Sequence, residues 1–255
     1  MPFEERKPVL KLFAVSDIHG YAELMKEALS ASGYDYQNKD HLLICCGDCF
    51  DRGTENRNVL RFFERIDRKV MVKGNHDERL NEIMDTGELG FHDYLNGTIV
   101  TLQEFFGKYA VSGILDPVDF TGRTGEVRRL SAFIGEMKDY YETAHYVFVH
   151  GWLPNENGKV LPDWRNATAA QWSEARWTLW PDGRAMPGYH DGKTIVCGHY
   201  PTFENDYGIR YEQGMIAIDA GTDTSKKINV LVLEDELLEA PLQSTDELSG
   251  DNDVT

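Results

Sequence analysis

Three apolar runs near the amino terminus, Val9–Val15, Leu42–Cys46 and Val70–Val72, are too short for packed helices, and each stops at a cluster of polar residues. Between the first two, Glu23–Ser30 puts Leu24, Met25, Ala28 and Leu29 at helical spacing, with Gly33 as a stop signal. Between the second and third, Asn56–Ile66 does the same with Val59, Leu60, Phe63 and Ile66. This β-α-β-α-β alternation is the feature that most restricts the fold. It predicts an α/β architecture with parallel strands. In open sheets of that kind, ligands collect outside the carboxyl ends of the strands. Those ends read Ser16-Asp17-Ile18-His19-Gly20, Gly47-Asp48-Cys49-Phe50-Asp51-Arg52-Gly53 and Lys73-Gly74-Asn75-His76-Asp77.

From Asp77 to about Thr143 the pattern turns helical and loop-rich, broken by Gly97, Gly107, Gly113, Pro117, Gly122 and Gly125, and reads as an inserted cap over about 77–143. Strand-like segments then return at His145–Val149 before His150, Thr194–Cys197 before His199, Met215–Ile218 before Asp219, and Ile228–Leu233. A tryptophan-rich stretch, Trp164–Trp180, separates the first two. From Glu234 onward there are eight acidic residues and no Lys or Arg, which predicts a solvated tail. The expected organisation is one domain over 1–238 and an acidic, disordered tail over 239–255.

At 255 residues the chain is long enough for one substantial core, and its 41% hydrophobic content is ordinary for a globular protein. The formal charge of -17 argues against binding a nucleic-acid polymer or an anionic membrane, both of which call for a basic face. Four cysteines, three of them at 45, 46 and 49, do not form a secreted disulfide framework, and no CxxC pair recurs to suggest a zinc site. The charged amino terminus does not resemble a signal peptide, and no apolar run reaches the roughly 20 residues that span a bilayer. A cytoplasmic location is the expectation.

The strand ends together supply Asp17, His19, Asp48, Asn75, His150 and His199. Carboxylates, imidazoles and an amide oxygen suit a pair of divalent or trivalent transition ions, with Mn, Fe and Zn all compatible. Two ions roughly 3.5–4 Å apart activate a water for in-line attack on phosphorus. Taken singly, each residue has a simpler explanation: a helix cap for Asp17, a turn residue for Asn75, a satisfied histidine for His150. Six of them at successive strand ends are better explained by one metal site.

Ser-Asp-Ile-His-Gly at 16–20, Gly-Asp-x-x-Asp-Arg-Gly at 47–53, Gly-Asn-His-Asp at 74–77, His150-Gly151 and Gly198-His199 resemble the motifs of the calcineurin-like metallophosphoesterases. The unbroken second and third motifs resemble the phosphoprotein phosphatase branch, with its bacterial protein phosphatases and symmetrical diadenosine tetraphosphatases. The resemblance spans about residues 9–235. It implies two packed β-sheets flanked by helices, a four-layer sandwich, carrying the helical cap. It implies a first metal on Asp17 and His19, a second on Asn75, His150 and His199, and Asp48 bridging the two. His76 would protonate the leaving group, Asp51 would orient His76, and Arg52 would clamp the phosphate oxygens. Hydrolysis would proceed by attack of metal-bound water on a phosphate monoester, with a phosphoprotein as leading substrate and a dinucleoside polyphosphate as the alternative. The residue types suit these roles, since imidazole titrates near neutrality and guanidinium is permanently charged.

Weaker matches extend the site. Asn96-Gly97 with Thr101-Leu102 resembles a segment near the mouth in bacterial relatives, and Arg176 is a candidate second phosphate-binding arginine. Ile218-Asp219-Ala220-Gly221 resembles a late turn that closes the site, with Asp219 serving backbone amides and not a metal. Trp152 departs from the glycine found in relatives and would narrow the mouth or stack on substrate. An inactive scaffold would show gaps among the ligands or loss of His76 or Arg52, and neither occurs. A nuclease or phosphodiesterase would need a nucleic-acid surface that the net charge disfavours. Oligomeric state is not legible in the sequence.

Overall fold

The computed structural model describes residues 9–111, 116–120, 122–179 and 192–238. Strands β1 (Val9–Val15), β2 (His41–Cys45) and β3 (Lys69–Met71) pair in parallel, joined by helices α1 (Ala22–Ala31) and α2 (Asn56–Glu64). Helices α3 (Asn75–Thr86), α4 (Phe91–Leu95), α5 (Thr98–Phe106) and α6 (Thr124–Gly135) follow. A second sheet is then built from β4 (Tyr141–Glu142), β5 (Tyr146–Phe148), β8 (Thr194–Cys197), β9 (Arg210–Glu212) and β10 (Met215–Ala217). Between β5 and β8 lie the two-stranded pair β6 (Asn155–Glu156) and β7 (Lys159–Val160) and helix α7 (Ala169–Arg176). Helix α8 (Thr222–Ser225) and strand β11 (Leu231–Glu236) close the described chain. The sheet orders are β11-β1-β2-β3 and β4-β5-β8-β10-β9, with β5, β8 and β10 parallel and β11, β4 and β9 antiparallel to their neighbours.

The two-residue repeat of the strands sorts side chains into layers. On β1 and β2, Leu10, Leu12, Ala14, Leu42 and Ile44 point to the interior between the sheets, where they meet Phe148, Val196 and Ile216. The alternate residues Phe13, Val15, Leu43 and Cys45 face outward into a core shared with α1, α2, α3, α5 and α6. On the second sheet, Val147, Ile195, Cys197 and Met215 pack under Trp152, Trp164 and Trp172. The result is the expected α/β arrangement of two packed sheets flanked by helices. Helices α3, α5 and α6, from the stretch read as a cap, insert Leu80, Ile83, Leu102, Phe105, Leu130 and Phe133 into the outer core of the first sheet.

Two sequence expectations need correction. The last strand begins at Leu231 instead of Ile228, because its register against β1 runs from Ala14↔Leu231 to Val9↔Glu236. The acidic residues Glu234–Glu236 are therefore part of a paired strand and not of a solvated tail. Asp235 is buried there and accepts from the His145 N–H at 2.9 Å. The tail expected over 239–255 and Trp180 of the tryptophan-rich stretch lie outside the described residues. Among those residues no helix is long and apolar enough to cross a membrane.

Phe50 ties the site loop to the helical layer. It is fully buried and meets Phe105 of α5 and Phe133 of α6 edge-on, with ring centroids 6.0 and 6.1 Å away. Phe50→Ala is expected to lower unfolding stability by about 3–5 kcal/mol through lost transfer energy and a residual cavity. Chemical denaturation would measure it, and a loss below about 1 kcal/mol would show that the loop and helices close over the gap.

Candidate active site

The carboxyl ends of the parallel strands in both sheets converge on one edge of the sandwich. After β1 and β2 the chain leaves extended geometry abruptly, and the turns are laced together by main-chain bonds. The Asp17, His19 and Gly20 N–H groups donate to the carbonyls of Gly47, Asp48 and Cys49, each at 3.0 Å, and the Gly53 N–H donates to His19 at 2.9 Å. These turns require left-handed backbone. Ten described non-glycine residues have positive φ, and six of them are Asp17, His19, Asp48, Asp51, Arg52 and His199. Such geometry costs an L-residue of order 1–3 kcal/mol and persists only where the surroundings enforce it.

Glycines let the turns approach each other. A Cβ at Gly74 would lie 2.1 Å from Asp48 Oδ1, and one at Gly198 would lie 1.8 Å from Ser16 Oγ and 2.3 Å from Asp17 Oδ2. Gly198 is thus where the second sheet closes on the first. The Gly198 N–H donates to the His150 carbonyl at 2.8 Å, and the His199 N–H donates to Asp17 Oδ2 at 2.9 Å.

Asp48 lies at the centre. One ligand atom from each of His19, Asp48 and His76 falls within 4.8 Å of the others, as does one from each of Asp48, His150 and His199. These two groups, sharing one carboxylate, are where the chain could hold metal ions. His76 stands in the first group where the sequence suggested Asp17. Asp17 is alongside, its Oδ1 3.9 Å from His19 Nε2 and its Oδ2 accepting from the Ser16 hydroxyl at 2.5 Å. Asn75 Oδ1 is 2.8 Å from His150 Nε2, which places the amide in the second group. All six residues proposed as ligands are therefore brought together, and Asp17, His19, Asp48, Asn75 and His150 are buried.

The histidines differ in what holds their second nitrogen. His19 Nδ1–H donates to the Phe50 carbonyl at 2.9 Å and His150 Nδ1–H to the Cys46 carbonyl at 2.8 Å. His199 is held by the main chain of Trp177. A carbonyl partner fixes the tautomer and leaves Nε2 as a lone-pair donor, the usual outer support of a ligating histidine. His76 Nδ1 is instead bound by a carboxylate, Asp51 Oδ2, at 2.8 Å.

Electrostatics follow from burial and crowding. Burial opposes ionisation of Asp48, yet His150 and His76 hold its carboxyl well below the ordinary range. Burial likewise disfavours charge on His150, but Asp48 outweighs it and raises the imidazole to about 10. His76 is raised despite burial by Asp48 and Asp51. Burial, with His150 adding to it, lowers His199 to about 4, and burial with His76 lowers His19 strongly. Burial and the neighbouring Asp48 raise Asp17, as they raise Asp77 to about 6. A buried carboxylate that draws protons onto its imidazole neighbours is a site that calls for cations, and its oxygen and nitrogen donors suit borderline transition ions.

The remaining sequence candidates separate. Arg52 is exposed in left-handed backbone, and a Cβ at Gly97 would lie 2.6 Å from its nitrogen, which puts the half-buried Asn96 beside the Arg52 turn. Arg176 does not reach substrate space. It is 4% exposed, donates to Glu78 at 2.7 Å and to Asp139, and ties α7 to α3, so its charge is already matched. Trp152 is 1% exposed and cannot stack on a ligand. Gly151 is pressed on the Ala175 and Arg176 carbonyls, and the Trp152 N–H donates to Ala175 at 3.0 Å, so the indole turns into the tryptophan core. The aromatic beside the site is Trp177, 54% exposed and edge-on to His199 with centroids 6.1 Å apart. Asp219 accepts from the Gly221 N–H at 2.7 Å, as expected.

Asp77 went unread as a site residue. It is fully buried and accepts from the N–H groups of Asp48, Gly74 and Cys49 at 2.9, 3.0 and 3.1 Å, welding two strand-end loops. Its position three residues after Gly74 at a helix start was the available signal. Gly198→Ala is expected to cost about 1–3 kcal/mol or more by overpacking and to abolish metal uptake. Thermal unfolding and metal analysis of the same preparation would check both, and a variant that bound metal normally would show that Ser16 and Asp17 can yield.

The chain is 26% identical to a symmetrical bis(5'-nucleosyl)-tetraphosphatase of Aromatoleum aromaticum, over 89% of this chain and 94% of that protein. It is 36% identical to serine/threonine-protein phosphatase 2 of Escherichia coli over 77 residues, 30% of this chain and 34% of that one. The fold is that of a Saccharomyces cerevisiae protein serine/threonine phosphatase, with TM-score 0.56 at 14% identity, covering 93% of this chain and 83% of the other. Since the calcineurin-like phosphoesterase family model matches residues 10–222, the chain belongs to that family and is a metal-dependent phosphoesterase.

Proposed function

We propose that the protein is a two-metal phosphatase acting on phosphate monoesters, with Asp17, His19 and Asp48 holding one ion and Asp48, Asn75, His150 and His199 the other. The single observation that carries this reading is the division among the histidines. His19 and His150 tie Nδ1 to a main-chain carbonyl, His199 is held by the main chain of Trp177, and His76 ties Nδ1 to a carboxylate. With metal bound the first three would serve as ligands, and His76, backed by the Asp51 carboxylate, would be the group that carries a proton to substrate. When bound, ions of the Mn, Fe or Zn kind supply Lewis acidity toward phosphoryl oxygens and lower the pKa of water.

The chain's own groups account for the rest. Asp51 accepts the His76 Nδ1–H, so the ring turns Nε2 toward Asp48 and the space over it. From Nε2 a proton reaches the departing alkoxide oxygen, the step that matters most for a poor leaving group. Arg52, exposed beside this space, holds the non-bridging oxygens as negative charge builds on them. The stretch 77–143 serves as the cap, anchored in the core by α3, α5 and α6 and touching the site at Gly97 and Thr98. Four free, buried cysteines support a reducing, cytoplasmic setting.

The second reading is a dinucleoside polyphosphate hydrolase. Trp177 favours it, because an exposed indole beside His199 offers a stacking face for a base. The formal charge of -17 weighs against a polyanionic substrate.

With Mn²⁺ added, hydrolysis of an aryl phosphate, a phosphopeptide and diadenosine tetraphosphate is expected to rank the phosphopeptide above the dinucleotide. The opposite ranking would install the second reading. Asp48→Asn is expected to weaken both ions together by more than the roughly 10–100-fold that loss of an outer support costs. Metal content after dialysis would measure it, and one ion retained at full affinity would overturn the shared carboxylate.

A further inference from the structure

The Asp51 carboxylate accepts from three side chains, and only one of them is His76. Thr98 Oγ1 donates to Asp51 Oδ2 at 2.7 Å, beside the His76 bond to the same oxygen at 2.8 Å. Thr101 Oγ1 donates to Asp51 Oδ1 at 2.8 Å and accepts from the Asp51 N–H at 3.0 Å. Since a hydroxyl has one hydrogen, accepting that N–H leaves the Thr101 hydrogen for Oδ1. Asp51, Thr98 and Thr101 are 0%, 1% and 0% exposed, so water does not compete for these bonds.

The arrangement is a property of one helix face. Thr98, Thr101 and Glu104 recur every three residues along α5 and so lie on the same side. Glu104 accepts from Asn56 Nδ2 at 2.8 Å and from the Arg57 N–H at 3.1 Å, while Asn56 Oδ1 accepts from the Asp51 N–H at 3.0 Å. The whole 51–57 turn is gripped by α5, and the left-handed Asp51, with φ of 75°, is held from both its amide and its carboxylate.

We infer that Thr98 and Thr101 are positioning residues for the reaction, acting through Asp51 on His76. An ionised carboxylate can turn about its last torsion and present either oxygen. Thr101 on Oδ1 and Thr98 on Oδ2 pin the carboxylate against that rotation, and the second direction of Oδ2 is the one that receives His76 Nδ1–H. This fixes the tautomer and the ring plane, and it hands α5 control over where Nε2 delivers its proton. The inference rests on the reading of His76 as general acid.

The test is leaving-group selectivity. Thr98→Val and Thr98→Val/Thr101→Val remove the hydroxyls at nearly constant volume, and Thr98→Ser restores one. Rates are measured on phosphoserine, whose alkoxide needs a proton, and on 4-nitrophenyl phosphate, whose phenolate does not. The valine variants are expected to lose on the order of 10-fold or more on phosphoserine and less than about 3-fold on the aryl ester, part of the 10²–10⁴ a general acid contributes. Metal content should equal that of the parent protein, and Thr98→Ser should recover the phosphoserine rate. If the double variant does not fold, Thr98→Val alone carries the test, because the Asp51 N–H keeps both Asn56 and Thr101. Equal losses on both substrates, or none, overturn the inference while His76→Ala remains selective. A His76→Ala enzyme without selectivity removes the general-acid reading itself and the inference with it.

Discussion

A carboxylate with almost no solvent stands where two sheets meet, and the rest of the structure is arranged to make that tolerable. Asp48 is 2% exposed, and an isolated charge in such a place would cost several kcal/mol. Its Oδ1 accepts the His76 main-chain N–H at 3.0 Å and stands 3.4 Å from His150 Nε2. Its Oδ2 stands 3.6 Å from His19 Nε2. The strands ending at His19, His76 and His150 come from both sheets, so the pairing of this one charge requires the sandwich to be closed. Asp77, by binding the Asp48 amide, keeps the loop from sliding outward.

The same side-chain type stands in two settings around that carboxylate, told apart by the partner on the far nitrogen. A carbonyl accepts the Nδ1–H and so fixes Nε2 as the nitrogen that faces the site. A carboxylate also accepts, but it stabilises the ring once protonated. His19 and His150 fall in the first class and His76 in the second, while His199 is held by the main chain of Trp177. That distinction is carried by the partners Phe50, Cys46, Trp177 and Asp51, of which Asp51 alone is a defining residue of the sequence motifs.

The sequence was informative where short-range rules hold. β1 over Val9–Val15 and β8 over Thr194–Cys197 coincide with their apolar runs, and the motif residues are gathered at the strand ends as the alternation implied. The edge strands Tyr141–Glu142 and Arg210–Glu212 and the pair Asn155–Glu156 with Lys159–Val160 are too brief to carry a period, and only their neighbours define them. Register against β1, and not local hydrophobicity, placed β11. Arg176 and Trp152 were misjudged for one reason. Their surroundings come from α3, Asp139 and the Gly151 contact, all distant in sequence or invisible in residue type. Thr98 was missed because a hydroxyl on a helix carries no signal until the carboxylate opposite it is known.

The left-handed residues of the site have a bearing on how this protein can be engineered. Asp17, His19, Asp48, Asp51, Arg52 and His199 hold a conformation in which glycine would be more comfortable, so the least relaxed backbone coincides with the side chains proposed to carry the chemistry. Selection for heat resistance alone would find relief at those positions and would drift toward a firmer, inert sandwich. Stabilising changes are better sought in the outer helical layer and on the far face of the second sheet, where geometry and chemistry are not claimed by the same residues.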